Sequence, residues 1–202
     1  DRRLRRTVIF IKADNFLISQ AQVLFRAIQS IPPDKIRDGY KIEIGFSVFI
    51  CESINGGYKI VVPDYTNSPL LNTTDDLTIA LWVLFEQTEL LNYLGIDGVA
   101  TRFDDEIVIA KNVLEYPTIS LQRYSDLGKD VSGWCIEAIE EKSDGIFQTI
   151  EAKDYETIYA YQLLQKRVSL IKVLVLPYEY IVIFNGDEIN EILNEKDESI
   201  FT

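Results

Sequence analysis

The sequence predicts an α+β fold with mostly antiparallel sheets and two or three main helices packed against them. Strand-like segments occur in runs with helical segments between the runs, which is typical of α+β domains rather than of a repeated βαβ unit. Two turn signals, Asn55-Gly56-Gly57 and Asn185-Gly186, each separate a pair of strand-like segments. Such turns favour β-hairpins, whose strands are antiparallel.

The first part of the chain carries both strand and helix signals. Thr7 to Ala13 predicts a strand, and Asp14 or Asn15 can cap a helix whose apolar side chains recur every three to four residues until Pro32-Pro33. Apolar residues occupy every even position from Ile42 to Ile50, so we expect one half-buried strand there. Tyr58 to Val62 should return beside that strand as its hairpin partner.

The strongest helix signal comes next, from residue 77 to residue 94. Thr74, Asp75 or Asp76 can cap it, its leucines recur at three- and four-residue spacing, and Gly95 is placed to end it. The helix is apolar on most sides, which is typical of a helix central to a core. Shortly after it we expect an internal boundary, giving an N-terminal α+β module over residues 1–98 and an acidic C-terminal module over 99–202.

The second part of the chain consists mainly of short strands. A helical stretch is predicted from Tyr155 to Leu176, ending before Pro177. The predicted strands are Glu106 to Ala110, Thr118 to Arg123, Ser132 to Ile139, Gly145 to Ile150, Tyr180 to Phe184 and Asp187 to Leu193.

Composition excludes several kinds of chemistry. The 202 residues include no His, so Ser-His-Asp and Cys-His nucleophile pairs and the HExxH zinc helix are absent. The two cysteines, Cys51 and Cys135, lie far apart and form neither a CxxC motif nor a disulfide framework, so we expect reduced, packed thiols. No GxxxxGK[ST] or GxGxxG loop occurs, and we expect no cofactor.

Charge is distributed unevenly along the chain. Residues 1–60 have a net charge of +4, whereas residues 61–202 have −16, which together give the −12 of the whole chain. The negative field of the later part should repel nucleic acid and anionic membranes and attract basic proteins. The longest apolar run, Ile79 to Phe85, is too short to span a bilayer, and the Arg-rich start does not lead into a signal-peptide core. We therefore expect a cytoplasmic protein without membrane contact.

An acidic loop, a pair of tyrosines and a single tryptophan could carry function. Asp104, Asp105 and Glu106 could offer oxygens to Mg²⁺, although an acidic loop that opens a strand is the commoner case, and we expect no metal. Tyr155 and Tyr159 would share one face of a helix and could form a surface for a partner peptide. Trp134 enters a strand, where a core role and an interface role are both open.

The second part of the chain resembles a known pattern. It contains an acidic turn into a strand, an aliphatic-Gln-Arg strand ending at Arg123, Ser132-Gly133-Trp134 entering another strand, and Leu176-Pro177 before a closing strand with an Asn-Gly-Asp turn. Over residues 101–193 this order resembles the small α+β immunity proteins of bacterial polymorphic toxin systems, of the type with a Ser-Gly-Trp strand.

This resemblance implies a non-enzymatic inhibitor that binds and neutralises a protein toxin, with an acidic surface suited to a basic one. The candidate partner-binding residues are Asp104, Asp105, Glu106, Asp130, Trp134, Glu140 and Glu141. Two alternatives stay open at this point: a carboxylate- or metal-dependent hydrolase, and a regulatory or scaffold interaction domain.

Overall fold

A computed structural model describes residues 8–126, 131–142 and 146–201 of the protein. The chain divides into two compact units, residues 1–85 and 86–202, each with its own sheet. The division falls inside the second long helix, Thr78–Leu94, ahead of the boundary that the sequence predicts at residues 98 and 99. Strands in mixed and antiparallel sheets together with helices confirm the α+β class.

Unit 1, residues 1–85, is built on a five-stranded sheet. Its elements are β1 (Val8–Phe10), α1 (Ile18–Gln29), β2 (Lys41–Ile44), β3 (Ser47–Ile54), β4 (Gly57–Pro63), β5 (Thr73–Thr74) and the first turns of α2 (Thr78–Leu94). The strand order is β1-β4-β3-β2, with β5 beside β4, and only the β1–β4 pair is parallel among these strands.

The single strand predicted from Ile42 to Ile50 is wrong. The chain turns at Gly45, which has a φ of 57°, and forms the β2–β3 hairpin instead. Ile42 pairs with Phe49 and Glu43 pairs with Val48, so the apolar even positions of β2 and β3 face opposite sides of the sheet. An alternation that continues through a two-residue turn therefore does not identify one face.

Helix α2 begins and ends as its sequence indicates. The Oδ1 atom of Asp76 accepts hydrogen bonds from the backbone N–H (3.0 Å) and the hydroxyl (2.6 Å) of Thr78. These bonds lower the pKa of Asp76 by stabilising its carboxylate. At the other end, Gly95 has a φ of 66°, the left-handed conformation that terminates many helices. No helix in the described residues is long and apolar enough to cross a bilayer.

Unit 2, residues 86–202, is built on a seven-stranded sheet. Its elements after α2 are β6 (Glu106–Ala110), β7 (Thr118–Arg123), β8 (Val131–Glu141), β9 (Phe147–Thr149), β10 (Tyr155–Tyr159), α3 (Leu163–Lys166), β11 (Ile181–Asn185) and β12 (Glu188–Leu193). The order is β10-β6-β8-β7-β11-β12, with β9 beside the end of β8. Neighbours are antiparallel except β6 and β8. The predicted Asn185-Gly186 hairpin is confirmed, with Gly186 at a φ of 61°.

The helical stretch predicted from Tyr155 to Leu176 is wrong in its first part. Tyr155–Tyr159 forms strand β10, which pairs with β6 over its whole length. Its Tyr-Glu-Thr-Ile-Tyr sequence is rich in the aromatic and β-branched residues that fit a pleated sheet. The remainder consists of short pieces: 3-10 turns at Ala160–Gln162 and Val168–Val173, with α3 between them.

The two faces of the unit 2 sheet differ in burial. One face is a core of fully buried side chains, among them Ile107, Leu121, Trp134, Ile136 and Val182. Residues paired directly across neighbouring strands have their side chains on the same side of the sheet. The register therefore also identifies the residues on the side opposite the core. We name that side the open face; its half-buried or exposed residues include Glu106, Val108, Thr118, Ser120, Gln122, Cys135, Glu137, Glu141, Tyr155, Thr157, Tyr159, Ile181, Asn185, Glu188, Glu191 and Leu193.

Candidate functional site

The motifs of unit 2 converge on one buried cation, Arg123. Its side chain is 1% exposed and donates hydrogen bonds to four backbone carbonyls. The acceptors are Ser132 (3.1 Å), Val99 (2.6 Å), Leu176 (2.6 Å) and Ala100 (3.3 Å). Burial lowers the pKa of Arg123, since it disfavours the charged form. Four carbonyl dipoles replace the water that this guanidinium loses on folding.

Aromatic rings complete the surroundings of Arg123. Its guanidinium carbon lies 4.5 Å from the ring centroid of Tyr178 and 5.6 Å from that of Trp134. Trp134 is 0% exposed, and its indole N–H donates to Thr101 Oγ1 and to the Leu174 carbonyl, each at 3.2 Å. The expectation that Trp134 contacts a partner is therefore corrected: the ring is a core residue with a satisfied donor.

The Ser-Gly-Trp motif contains a glycine because the backbone of β8 at residue 133 has no room for a side chain. The partners of Glu106 and Val108 are Val131 and Cys135, so β8 bulges between these two residues. Gly133 lies in the bulge with a φ of 85°, and a Cβ there would stand 2.3 Å from the Tyr124 carbonyl oxygen. We name Arg123, Gly133, Trp134, Leu176 and Tyr178 the arginine cluster; its contacts are structural.

The acidic loop before β6 is held by its own hydrogen bonds. Asp105 Oδ2 accepts from the backbone N–H of Arg102 at 2.7 Å, and the Arg102 side chain pairs with Asp104 at 3.2 Å. The Asp105 carbonyl accepts from the N–H of Ala160 at 2.9 Å. Burial raises the pKa of Asp105, because its carboxylate has lost water. Two of the three predicted carboxylates thus brace a turn, and the third, Glu106, lies on the open face.

The remaining acidic candidates are not close to that loop. Glu140 and Glu141 are exposed at the far end of β8, where they pair with β9. Because β8 bulges, Cys135 lies beside Val108, two residues along from Glu106, and five further residues at about 3.3 Å each put Glu140 roughly 23 Å from Glu106. Asp130 lies outside the described residues. The candidates therefore lie towards two ends of the sheet.

Between these ends, the open face carries a cluster centred on Glu137. The Tyr155 hydroxyl donates to Glu137 Oε1, and this bond raises the pKa of Tyr155 to about 12. Burial, followed by the charge of Glu137, raises the pKa of Cys135 to about 11. Both groups therefore stay protonated near neutral pH, which suits hydrogen bonding rather than nucleophilic attack. Sequence reasoning placed Tyr155 on a helix and so missed its contact with Glu137.

A second aromatic group lies at the edge of the open face. The rings of Tyr159 and Tyr161 are stacked, with centroids 5.8 Å apart and planes inclined by 12°. Tyr159 is the direct cross-strand partner of Glu106, so the side chains of Tyr159 and Glu106 are neighbours on the open face. The predicted helical face of Tyr155 and Tyr159 is thus replaced by one side of an edge strand.

Unit 1 contains a separate concavity of about 280 Å³ with two carboxylates, Asp64 and Asp76, in its lining. Asp64 Oδ1 accepts from the N–H (3.0 Å) and hydroxyl (2.6 Å) of Thr66, and Asp76 is bonded to Thr78 in the same way. Each carboxylate thus stabilises a local turn or a helix start. Within the described ranges, no group of three or more metal-ligating side chains could hold an ion. The hydrolase alternative stays a prediction, and the Asp104 and Asp105 carboxylates on which it depends are engaged with Arg102.

Unit 2 is thus an α+β domain with a buried arginine cluster on one side of its sheet and an acidic, tyrosine-bearing face on the other. Residues 86–195 match the family model of the Imm33-like domain. The match begins at the first residue of unit 2 and covers more than half of the chain, which therefore belongs to the Imm33-like family, a family of the immunity-protein type. Comparison with curated proteins and with solved structures gives no match.

Proposed function

We propose that the protein is a non-enzymatic immunity protein that binds a cognate bacterial toxin in the cytoplasm and neutralises it through an acidic surface of unit 2. The observation that carries this proposal is the coincidence of the Imm33-like match with unit 2. Residues 86–202 hold a net charge of −13, whereas residues 1–85 hold +1. Unit 2 is therefore the part that would attract a basic protein.

The proposed contacts are exposed or half-buried carboxylates of unit 2. Asp104, Asp105 and Glu106 supply them at one end of the sheet and Glu140 and Glu141 at the other. Asp130 stays a proposed contact, whereas Trp134 is withdrawn because it is buried. The wide separation of the two groups implies that a toxin contacts either one end of the sheet or a surface long enough to include both.

Co-expression with the toxins encoded beside the gene tests the proposal. We expect one of them to arrest growth alone, to be tolerated with this protein, and to form a complex whose association slows as salt rises, because screening weakens steering between charged surfaces. The charge reversals Glu140→Lys and Glu141→Lys should slow association further. Asp34→Lys, at an exposed carboxylate of unit 1, is the matched control. Absence of a complex with every neighbouring toxin would disprove the function.

A further inference from the structure

We infer that the toxin docks on the open face of unit 2 and places arginine side chains at two positions along its β10 edge, one beside Tyr155 and Glu137 and the other beside Tyr159 and Glu106. The inference rests on the proposed function and deepens it by naming the surface and the chemistry of the partner group.

Charge is the first support for this inference. The residues on the open face include five carboxylates, Glu106, Glu137, Glu141, Glu188 and Glu191, and no Lys or Arg in its described strands. The Glu106 carboxylate makes no hydrogen bond or ion pair with any described residue. A half-buried carboxylate without a cationic neighbour favours a cation supplied by a partner.

Tyrosine rings beside these carboxylates are the second support. Tyr155 is 49% exposed and Tyr159 is 37% exposed, on the same side of the edge strand. The hydrogen bond to Glu137 fixes Tyr155, and the stack with Tyr161 fixes the Tyr159 ring. Rings that are already held lose little conformational freedom when a ligand packs on them.

The combination of ring and carboxylate selects arginine. A planar guanidinium can stack on a phenol ring and also donate to a carboxylate, whereas an ammonium group donates as a point charge. At the first position, Tyr155 occupies Oε1 of Glu137 and leaves Oε2 available to accept. At the second, the Tyr159 ring and the Glu106 carboxylate stand side by side across neighbouring strands.

Binding of a small probe tests this subsite without the toxin. N-acetyl-arginine amide, added to the full chain at millimolar concentrations, should shift the NMR signals of Tyr155, Tyr159 and the neighbouring β6 amides. N-acetyl-citrulline amide has the same shape without the charge and should shift them at least about tenfold less. Equal shifts with both probes, or shifts confined to other surfaces, would overturn the inference.

Variants tested against the toxin separate the inference from the proposed function. Glu106→Gln combined with Glu137→Gln should weaken the complex at least tenfold. Glu156→Gln changes an exposed carboxylate of the same strand that faces away from the open face, and should stay within twofold of the parent. A complex that forms normally with the double variant refutes the docking surface but leaves the immunity function intact. If no toxin binds at all, the function fails, and the probe titration decides the subsite alone.

Discussion

The two faces of the unit 2 sheet make opposite use of charge and aromatic rings. On the buried face, the Arg123 guanidinium lies against the Trp134 and Tyr178 rings and is satisfied by backbone carbonyls. On the open face, Tyr155 and Glu137 satisfy each other and remain accessible to solvent. The buried group contains Arg123, the Gly133-Trp134 pair and Leu176 from the short motifs of the second part of the chain, whereas Tyr155 and Glu137 belong to none of those motifs. Motifs here mark sites of backbone and packing constraint, and the surface available to a partner lies on the other side of the same strands.

Replacing the buried cation should have the largest effect on stability. Arg123→Met removes the donors of four backbone carbonyls and the contact with two rings, so we expect a loss of about 4 kcal/mol in the free energy of unfolding. Urea denaturation followed by tryptophan fluorescence measures it. Arg123→Lys should recover only part of the loss. The four carbonyls are placed around a planar guanidinium, and the single ammonium group of a lysine cannot reach all of them.

Arg167→Met is the matched control for the buried cation. Arg167 also donates to backbone carbonyls, those of Tyr116 and Gly186, and it lies 3.8 Å from the Asp187 carboxylate. Its side chain is 8% exposed, but it donates to two carbonyls where Arg123 donates to four, so its loss should cost less, about 2 kcal/mol. Equal losses for the two variants would contradict the distinction between a structural arginine cluster and the rest of unit 2.

A methyl group at Gly133 should have the next largest effect. In Gly133→Ala the new Cβ must avoid the Tyr124 carbonyl oxygen, and a residue with a side chain must adopt a φ of 85°. We expect a loss of about 3 kcal/mol, combining left-handed backbone strain with overpacking. Thermal and urea unfolding of the purified variant measure it.

Gly186→Ala separates those two causes. Gly186 also has positive φ, at 61°, but no atom lies within 4 Å of a Cβ built there. Its loss should therefore be only the backbone cost of about 1 kcal/mol. If Gly133→Ala costs no more than Gly186→Ala, the bulge of β8 relaxes freely and the tight approach to Tyr124 is not a constraint.

Local signals predicted much of the fold. The β6 and β7 bounds, the cap of α2 at Asp76 and the Asn185-Gly186 hairpin all depend on residues within a few positions of one another. The errors arose where one pattern suits two structures. The spacing of Tyr155 and Tyr159 fits one face of a helix and one side of a strand equally well, and pairing with β6 decides between them.

The candidate site was less predictable because it depends on register across several strands. Tyr155 reaches Glu137 across β6, through the antiparallel pairing of β10 with β6 and the parallel pairing of β6 with β8. Parallel strands have no short turn between them to reveal their register. The acidic residues of the second part suggested one surface, but Glu106 lies in β6 beside the first residue of β8, whereas Glu140 lies near the last residue of β8.

The last prediction concerns the reactivity of Cys135 on the open face. With its pKa raised to about 11, first by burial and then by the charge of Glu137, the thiol carries little thiolate near pH 8. In a chain with Cys51→Ala, so that Cys135 is the single thiol, iodoacetamide should react on the order of a hundredfold more slowly at pH 8 than with a free cysteine, and faster as pH rises toward 11.

Glu137→Gln should raise that rate at pH 8 by only a few fold, since it removes the negative charge but leaves the burial, which is the larger cause. It should also bring the pKa of Tyr155 down from about 12 toward the ordinary tyrosine value, because the carboxylate that holds the phenol proton is gone. Ultraviolet difference titration against Tyr155→Phe isolates that one phenol. Rapid labelling of Cys135 at pH 7 in the parent chain would reveal a thiolate on the open face. That result would make a nucleophilic role for this face the better hypothesis, because an activated thiol serves covalent chemistry rather than docking.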